Sequence, residues 1–116
     1  MVFNVVARNQ DDHTKNISFL MDESGAWRLS PAYDMGYAYN PSGFWTATHQ
    51  MSINGKFDGI TRKDLLECAA SNNIKNAAEI IDQVSEATSK WTEIAKECGV
   101  PRNMIDTITP NLLLNI

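Results

Sequence analysis

The chain's 116 residues suffice for one domain with one hydrophobic core. An apolar content of 43% with 21% charged residues excludes disorder as the default. A net charge of −4, with no run of lysines or arginines, argues against a nucleic-acid-binding surface.

Val2-Phe3-Asn4-Val5-Val6 is apolar and β-branched, so propensity alone says strand. Five residues are too few for periodicity to separate a strand from the last turns of a buried helix. Met1 to Ala7 has no basic leader, so no signal peptide is expected. So apolar a start hints at truncation. Ile17 to Met21 and Trp27 to Leu29 read as a hairpin joined by Asp22-Glu23-Ser24-Gly25. Ile17, Phe19 and Met21 are expected on one face, with Ser18, Leu20 and Asp22 on the other. Ser30-Pro31 then breaks regular structure. Met35 to Gln50 is rich in aromatics (Tyr37, Tyr39, Phe44, Trp45) and reads as an ordered loop, not a linker.

Met51-Ser52-Ile53 reads as a short strand, and Asn54-Gly55 as a tight turn towards Phe57. Thr61 has the character of an N-cap with Asp64 three residues on, a variant capping box. The helix it opens is expected to bury Leu65, Leu66 and Ala69 and to end near Asn72-Asn73. A long amphipathic helix is predicted from about Asn76 to Cys98. Its apolar stripe is Ala77, Ile80, Ile81, Val84, Ala87, Thr88, Trp91, Ile94, Ala95 and Cys98. Gly99 and Pro101 end it, and a last helix carries Met104, Ile105 and Ile108 up to Pro110. Cys68 and Cys98 form no metal or disulfide pattern and read as small buried thiols of a reducing cytoplasm. Leu112-Leu113-Leu114 is far too short to span a membrane, so the expected location is cytoplasmic.

The chemistry concentrates in Asn9-Gln10-Asp11-Asp12-His13-Thr14-Lys15-Asn16 and in Ala32-Tyr33-Asp34. Asp11 and Asn16 have the Asp-x4-Asn spacing of a kinase catalytic loop, and Asp34 follows behind a hairpin. In phosphoryl transfer the protein mostly positions groups and neutralises charge. Asp11 is the candidate orienting base; Asn16 and Asp34 are candidate oxygen ligands for Mg²⁺. Singly, each of these residues is more often a turn former or a cap; their conjunction carries the signal. His13 could touch phosphate or hold the loop by a hydrogen bond, and Lys15 could contact a phosphate or stand in solvent. The Asp-Asp-His cluster also admits a metal-hydrolase reading, with His49 the only other histidine.

Phe3 to Val6 running into Asn9–Leu20 strongly resembles the HipA family of bacterial toxin kinases, and Trp27–Asp34 resembles that family's next motif. His49–Lys56 and the long helix are similar to its C-terminal region. The resemblance implies a serine/threonine protein kinase, toxin of a toxin–antitoxin pair linked to growth arrest and persistence. Its partners would be a HipB-like helix-turn-helix antitoxin and a protein substrate; its cofactors would be ATP and Mg²⁺. It implies that Asp11 is the catalytic aspartate and that Asn16 and Asp34 are magnesium ligands. His13 stands where typical protein kinases have a lysine. It also turns Val2–Val6 into a helix end.

The family's N-terminal lobe, with its Gly-rich loop and ATP-contacting lysine, has no counterpart here. The fold expectation is therefore mainly α with one or two small β-hairpins, part of the C-terminal lobe of a protein-kinase-like fold. Residues 1–50 would hold the catalytic loop, hairpin and metal segment, and residues 51–116 the helical part. Two functions follow as expectations. One is a kinase lobe inactive without its missing partner lobe; the other is a non-catalytic protein-binding module, prone to self-association through the surface that lobe would cover.

Overall fold

The computed structural model describes residues 1–116 as five helices and one antiparallel hairpin. Helix α1 (Val2–Val6) is the helix end that the family resemblance implies, and the strand that propensity favours does not form. Val5 and Val6 are fully buried, because α1 packs against the later helices and tertiary burial overrides β-branched preference. The helix closes in a Schellman motif. Arg8 N donates to Val5 O at 3.3 Å and Asn9 N to Asn4 O at 2.9 Å. This places Arg8 in the left-handed region at φ 56°, a conformation that costs a non-glycine residue on the order of 1 kcal/mol. The Arg8 side chain offsets that cost. Its Nε donates to Asn111 O at 2.9 Å, and its guanidinium lies 4.5 Å from the centroid of the Tyr39 ring.

Strands β1 (Phe19–Met21) and β2 (Trp27–Leu29) pair Phe19 with Leu29 and Met21 with Trp27. Asp22 Oδ1 shapes the turn by accepting from Ser24 N, Ser24 Oγ and Ala26 N. All six strand residues are exposed, so the hairpin stands away from the core. Beyond it, the aromatic loop is tied down only in part. Ala38 bridges to Asn9, whereas Phe44 is 89% exposed and meets Trp45 edge to face. The Asn54-Gly55 turn forms with both residues at positive φ, 52° and 76°, and closes the single bridge between Ile53 and Lys56. It is a bridge and not a second hairpin.

Helix α2 (Arg62–Ser71) begins with the expected capping box. Thr61 N donates to Asp64 Oδ2 at 2.8 Å, and Asp64 N to Thr61 Oγ1 at 3.4 Å. Asp64 is buried and also receives Lys56 Nζ and Asn54 Nδ2, which joins the Asn54-Gly55 turn to the helix start. Leu65 and Ala69 are buried as expected; Leu66 is exposed.

The long helix is the main correction. It is two helices, α3 (Ala77–Ser89) and α4 (Trp91–Glu97), broken at Lys90. Thr88 Oγ1 donates to Val84 O and Ser89 Oγ to Glu86 O, and Lys90 N then bonds three residues back, to Ala87 O. Successive hydroxyl back-bonds of this kind bend a helix. Only Ile81 and Ala95 of the stripe are fully buried, since the five-residue α1 is too short to cover its whole width. Cys98 is exposed, against expectation; Cys68 is half-buried and both thiols are free. Gly99, at φ 74°, closes α4 in a second Schellman motif. Helix α5 (Arg102–Ile108) buries Ile105 and Ile108 but leaves Met104 exposed.

The core is Val5, Ile53, Ile60, Leu65 and Ile81, with Val2, Cys68, Leu113 and Ile116 packed on its edge. The C-terminal segment returns to α1, where Leu113 N donates to Val6 O at 2.9 Å. No helix is long and apolar enough to cross a membrane.

Because Thr61 both accepts from and anchors Asp64, Thr61→Ala should lower stability by about 1 kcal/mol. Urea denaturation followed by circular dichroism measures it, and an unchanged midpoint would contradict the role of the cap.

Candidate active site

The loop that leaves α1 is fixed at its start. Asn9 pairs with Ala38 as parallel strands do: Ala38 N donates to Arg8 O at 3.0 Å and Gln10 N to Ala38 O at 3.2 Å. Asn9 Nδ2 reaches both Asn4 Oδ1 (3.2 Å) and Asp34 O (3.3 Å). One amide thus ties the helix, the loop and the segment after the hairpin together. Gln10 is fully buried, and its amide, oriented to suit its neighbours, donates to Thr46 O and Ala47 O and accepts from Arg8 Nη1.

Past Gln10 the side chains diverge. Asp11 has a side chain 50% exposed, and its carboxylate meets only His13 Nε2, at 3.9 Å. Asp12, the next residue, is 5% exposed. Its Oδ2 lies 2.8 Å from His49 Nδ1, and its Oδ1 accepts from Gln50 N at 2.7 Å and Met51 N at 3.5 Å. Burial alone would push the Asp12 carboxyl up. The hydrogen bonds from His49, Gln50 and Met51 outweigh that penalty and hold it below its ordinary value.

Thr14–Asn16 forms a 3₁₀ turn, closed by Asn16 N donating to His13 O at 3.1 Å. Asn16 Nδ2 donates to Asp11 O at 2.9 Å. With its nitrogen committed to the backbone, the amide presents its oxygen as the atom available to a cation. Asp34 sits at φ 54°, its carbonyl held by Asn9 and its carboxylate exposed and in no ion pair. His13, Asn16 and Asp34 line one small cleft of about 50 Å³ with Asn4, Asn9 and Tyr33. His13 Nδ1 is buried there without a partner. Lys15 is exposed and joins the site through its backbone, its carbonyl accepting from Tyr33 Oη at 2.6 Å.

The donor set suits Mg²⁺. The cation prefers hard oxygen ligands and takes one or two from protein, the rest being water and phosphate. Asn16 Oδ1 and the Asp34 carboxylate are such a pair. Asp12 and His49, by contrast, meet as a pair without a third His, Cys, Asp or Glu to complete a ligand set. Asp12 escaped the sequence reading as a site residue. Its only local signal is its place beside Asp11, and its partner lies 37 positions away.

A half-exposed Asp11, an Asn16 whose amide nitrogen is held by the Asp11 carbonyl and an exposed Asp34 behind the hairpin make up the candidate site. The chain belongs to the HipA-like C-terminal domain family, whose model matches residues 1–92. No match to a curated protein or to a solved structure was found.

Asp12 and Asp64 are both held below the ordinary carboxyl value of 3.8, Asp64 chiefly by Lys56, then Thr61 and Asn54. The unfolded chain therefore takes up protons first as pH falls. The stability these groups contribute should be complete well above 3.8 and should drain away below it. Denaturation midpoints compared between pH 7 and pH 3 measure this, and Asp12→Asn should flatten the fall.

Proposed function

We propose that this chain is the base and metal side of a serine/threonine protein kinase site. In this reading Asp11 orients a substrate hydroxyl, while Asn16 and Asp34 hold Mg²⁺. The observation that carries it is the commitment of Asn16 Nδ2 to the Asp11 carbonyl, beside an unpaired Asp34 carboxylate at the same cleft. Membership of the HipA-like family supports it. The bound metal would supply charge neutralisation at the transferred phosphoryl group.

The remaining work falls to the chain's own groups. Asp11 accepts the proton of the attacking hydroxyl; its half-exposed carboxylate, with no cation fixed to it, is open to a substrate. His13 Nε2 stands 3.9 Å from the Asp11 carboxylate, and in this reading the ring steadies that carboxylate, its Nδ1 being buried without a partner. Lys15 projects into solvent beside the loop, where it can meet the outer phosphates of ATP. The rest of the nucleotide cradle would come from another lobe, so residues 1–116 alone should transfer little phosphate. A toxin role, with a HipB-like helix-turn-helix antitoxin as partner, belongs to the same reading.

In the kinase assembled with a nucleotide-binding lobe, Asp11→Asn should cut transfer to protein by about 10²- to 10⁴-fold. Asp34→Asn should remove the Mg²⁺-induced shifts of the Asn16 and Asp34 amides in NMR spectra. Wild-type transfer in the first variant, or unchanged shifts in the second, would reject the respective assignment.

The exposed hairpin favours a second reading, a non-catalytic protein-binding module. Phe19, Met21, Trp27 and Leu29 share one solvent-facing side, an apolar face of the kind that marks an interaction site. Under that reading the chain should self-associate through the hairpin in analytical ultracentrifugation, and Trp27→Ser should shift it to monomer. A monomer at high concentration sets this reading aside.

A further inference from the structure

We infer that His49 is a positioning residue that acts through Asp12 to set the direction of Asp11 and the 3₁₀ turn behind it. The inference rests on the kinase reading above. Three observations carry it. Asp12 stands between Asp11 and His13, and its side chain is buried where theirs meet in the partly exposed site. The Asp12 carboxylate takes hydrogen bonds from three consecutive residues, the His49 ring and the Gln50 and Met51 backbones. That triplet is anchored in turn: His49 N donates to Phe57 O at 2.9 Å, and Ile53, two residues beyond Met51, belongs to the core.

Asn9 and Gln10 fix the start of the loop, but beyond Gln10 its other ties are weaker in kind. Asn16 to Asp11 lies within the loop, and Tyr33 to Lys15 is exposed. Only Asp12 fastens the middle of the loop to the body. A buried carboxylate with three donors has one low-energy orientation, since any rotation strands a desolvated charge. The backbone of Asp11 and His13 inherits that orientation. His49 Nδ1 supplies the one donor of the three that a side-chain substitution can remove.

His49→Ala, His49→Asn and Asp11→Asn test the inference together. The Asn side chain places an N–H close to where the ring Nδ1 stood, so it is the rescuing variant. On residues 1–116, hydrogen exchange at the Asn16 amide should speed up at least about tenfold in His49→Ala and return towards wild type in His49→Asn. Exchange in α3 serves as the control for global stability. In the kinase assembled with its nucleotide-binding lobe, His49→Ala should lower kcat by about 10- to 100-fold, the usual cost of losing an outer-shell partner. KM for ATP should stay near wild type, and His49→Asn should recover most of kcat.

Equal acceleration of exchange in α3 and the loop, or a normal kcat for folded His49→Ala, would overturn the inference while leaving the kinase reading intact. Wild-type transfer by Asp11→Asn would overturn the kinase reading itself. If His49→Ala fails to fold, His49→Asn against Asp12→Asn decides. Retained kcat in Asp12→Asn overturns the inference, and loss in Asp12→Asn alone supports it.

Discussion

Asp12 is a carboxylate in the interior of a small protein, and the site is built around the need to satisfy it. Taking an ionised group out of water costs several kcal/mol unless hydrogen bonds replace the lost hydration. Here a histidine ring and two backbone N–H groups converge on its two oxygens. That convergence fixes the Asp11–Asn16 loop against the 49–51 segment, and the direction in which Asp11 faces solvent follows from it.

Around this constraint the molecule divides its labour. The body is closed by few contacts, with Val5, Ile53, Ile60, Leu65 and Ile81 as its core and the C-terminal Leu113 laid back on α1. The hairpin contributes nothing to that core, yet it separates Asn16 from Asp34 and brings both to one cleft. A two-stranded hairpin with both faces in water is marginal by itself. Its apolar side, Phe19, Met21, Trp27 and Leu29, is left in water.

Much was legible in the sequence where hydrogen bonds are local. The Thr61/Asp64 box and the Asp22–Gly25 turn depend on side chains within four residues of the backbone they bind, and the Asn54-Gly55 turn on two adjacent residues at positive φ. The loop spacing was legible for the same reason. Asn16 Nδ2 reaches the Asp11 carbonyl through one 3₁₀ turn, which needs five positions and no more. The break at Lys90 was harder to see. Apolar periodicity runs through it, while the hydroxyls of Thr88 and Ser89 that bend the helix leave no mark on a hydrophobic pattern.

What the sequence determined by itself is the set of local devices and the family to which they point: caps, turns, one hairpin, and an aspartate, asparagine and aspartate in kinase-like order. The tertiary structure decided the rest. It turned the β-branched Val2–Val6 into a helix that buries Val5 and Val6, left Ile80, Ala87, Ile94 and Cys98 of the apolar stripe exposed and joined Asp12 to His49 across 37 positions. The reason is one of range. A turn or cap is settled by neighbours whose distance the backbone fixes, whereas a buried pair depends on how distant segments come together around the core.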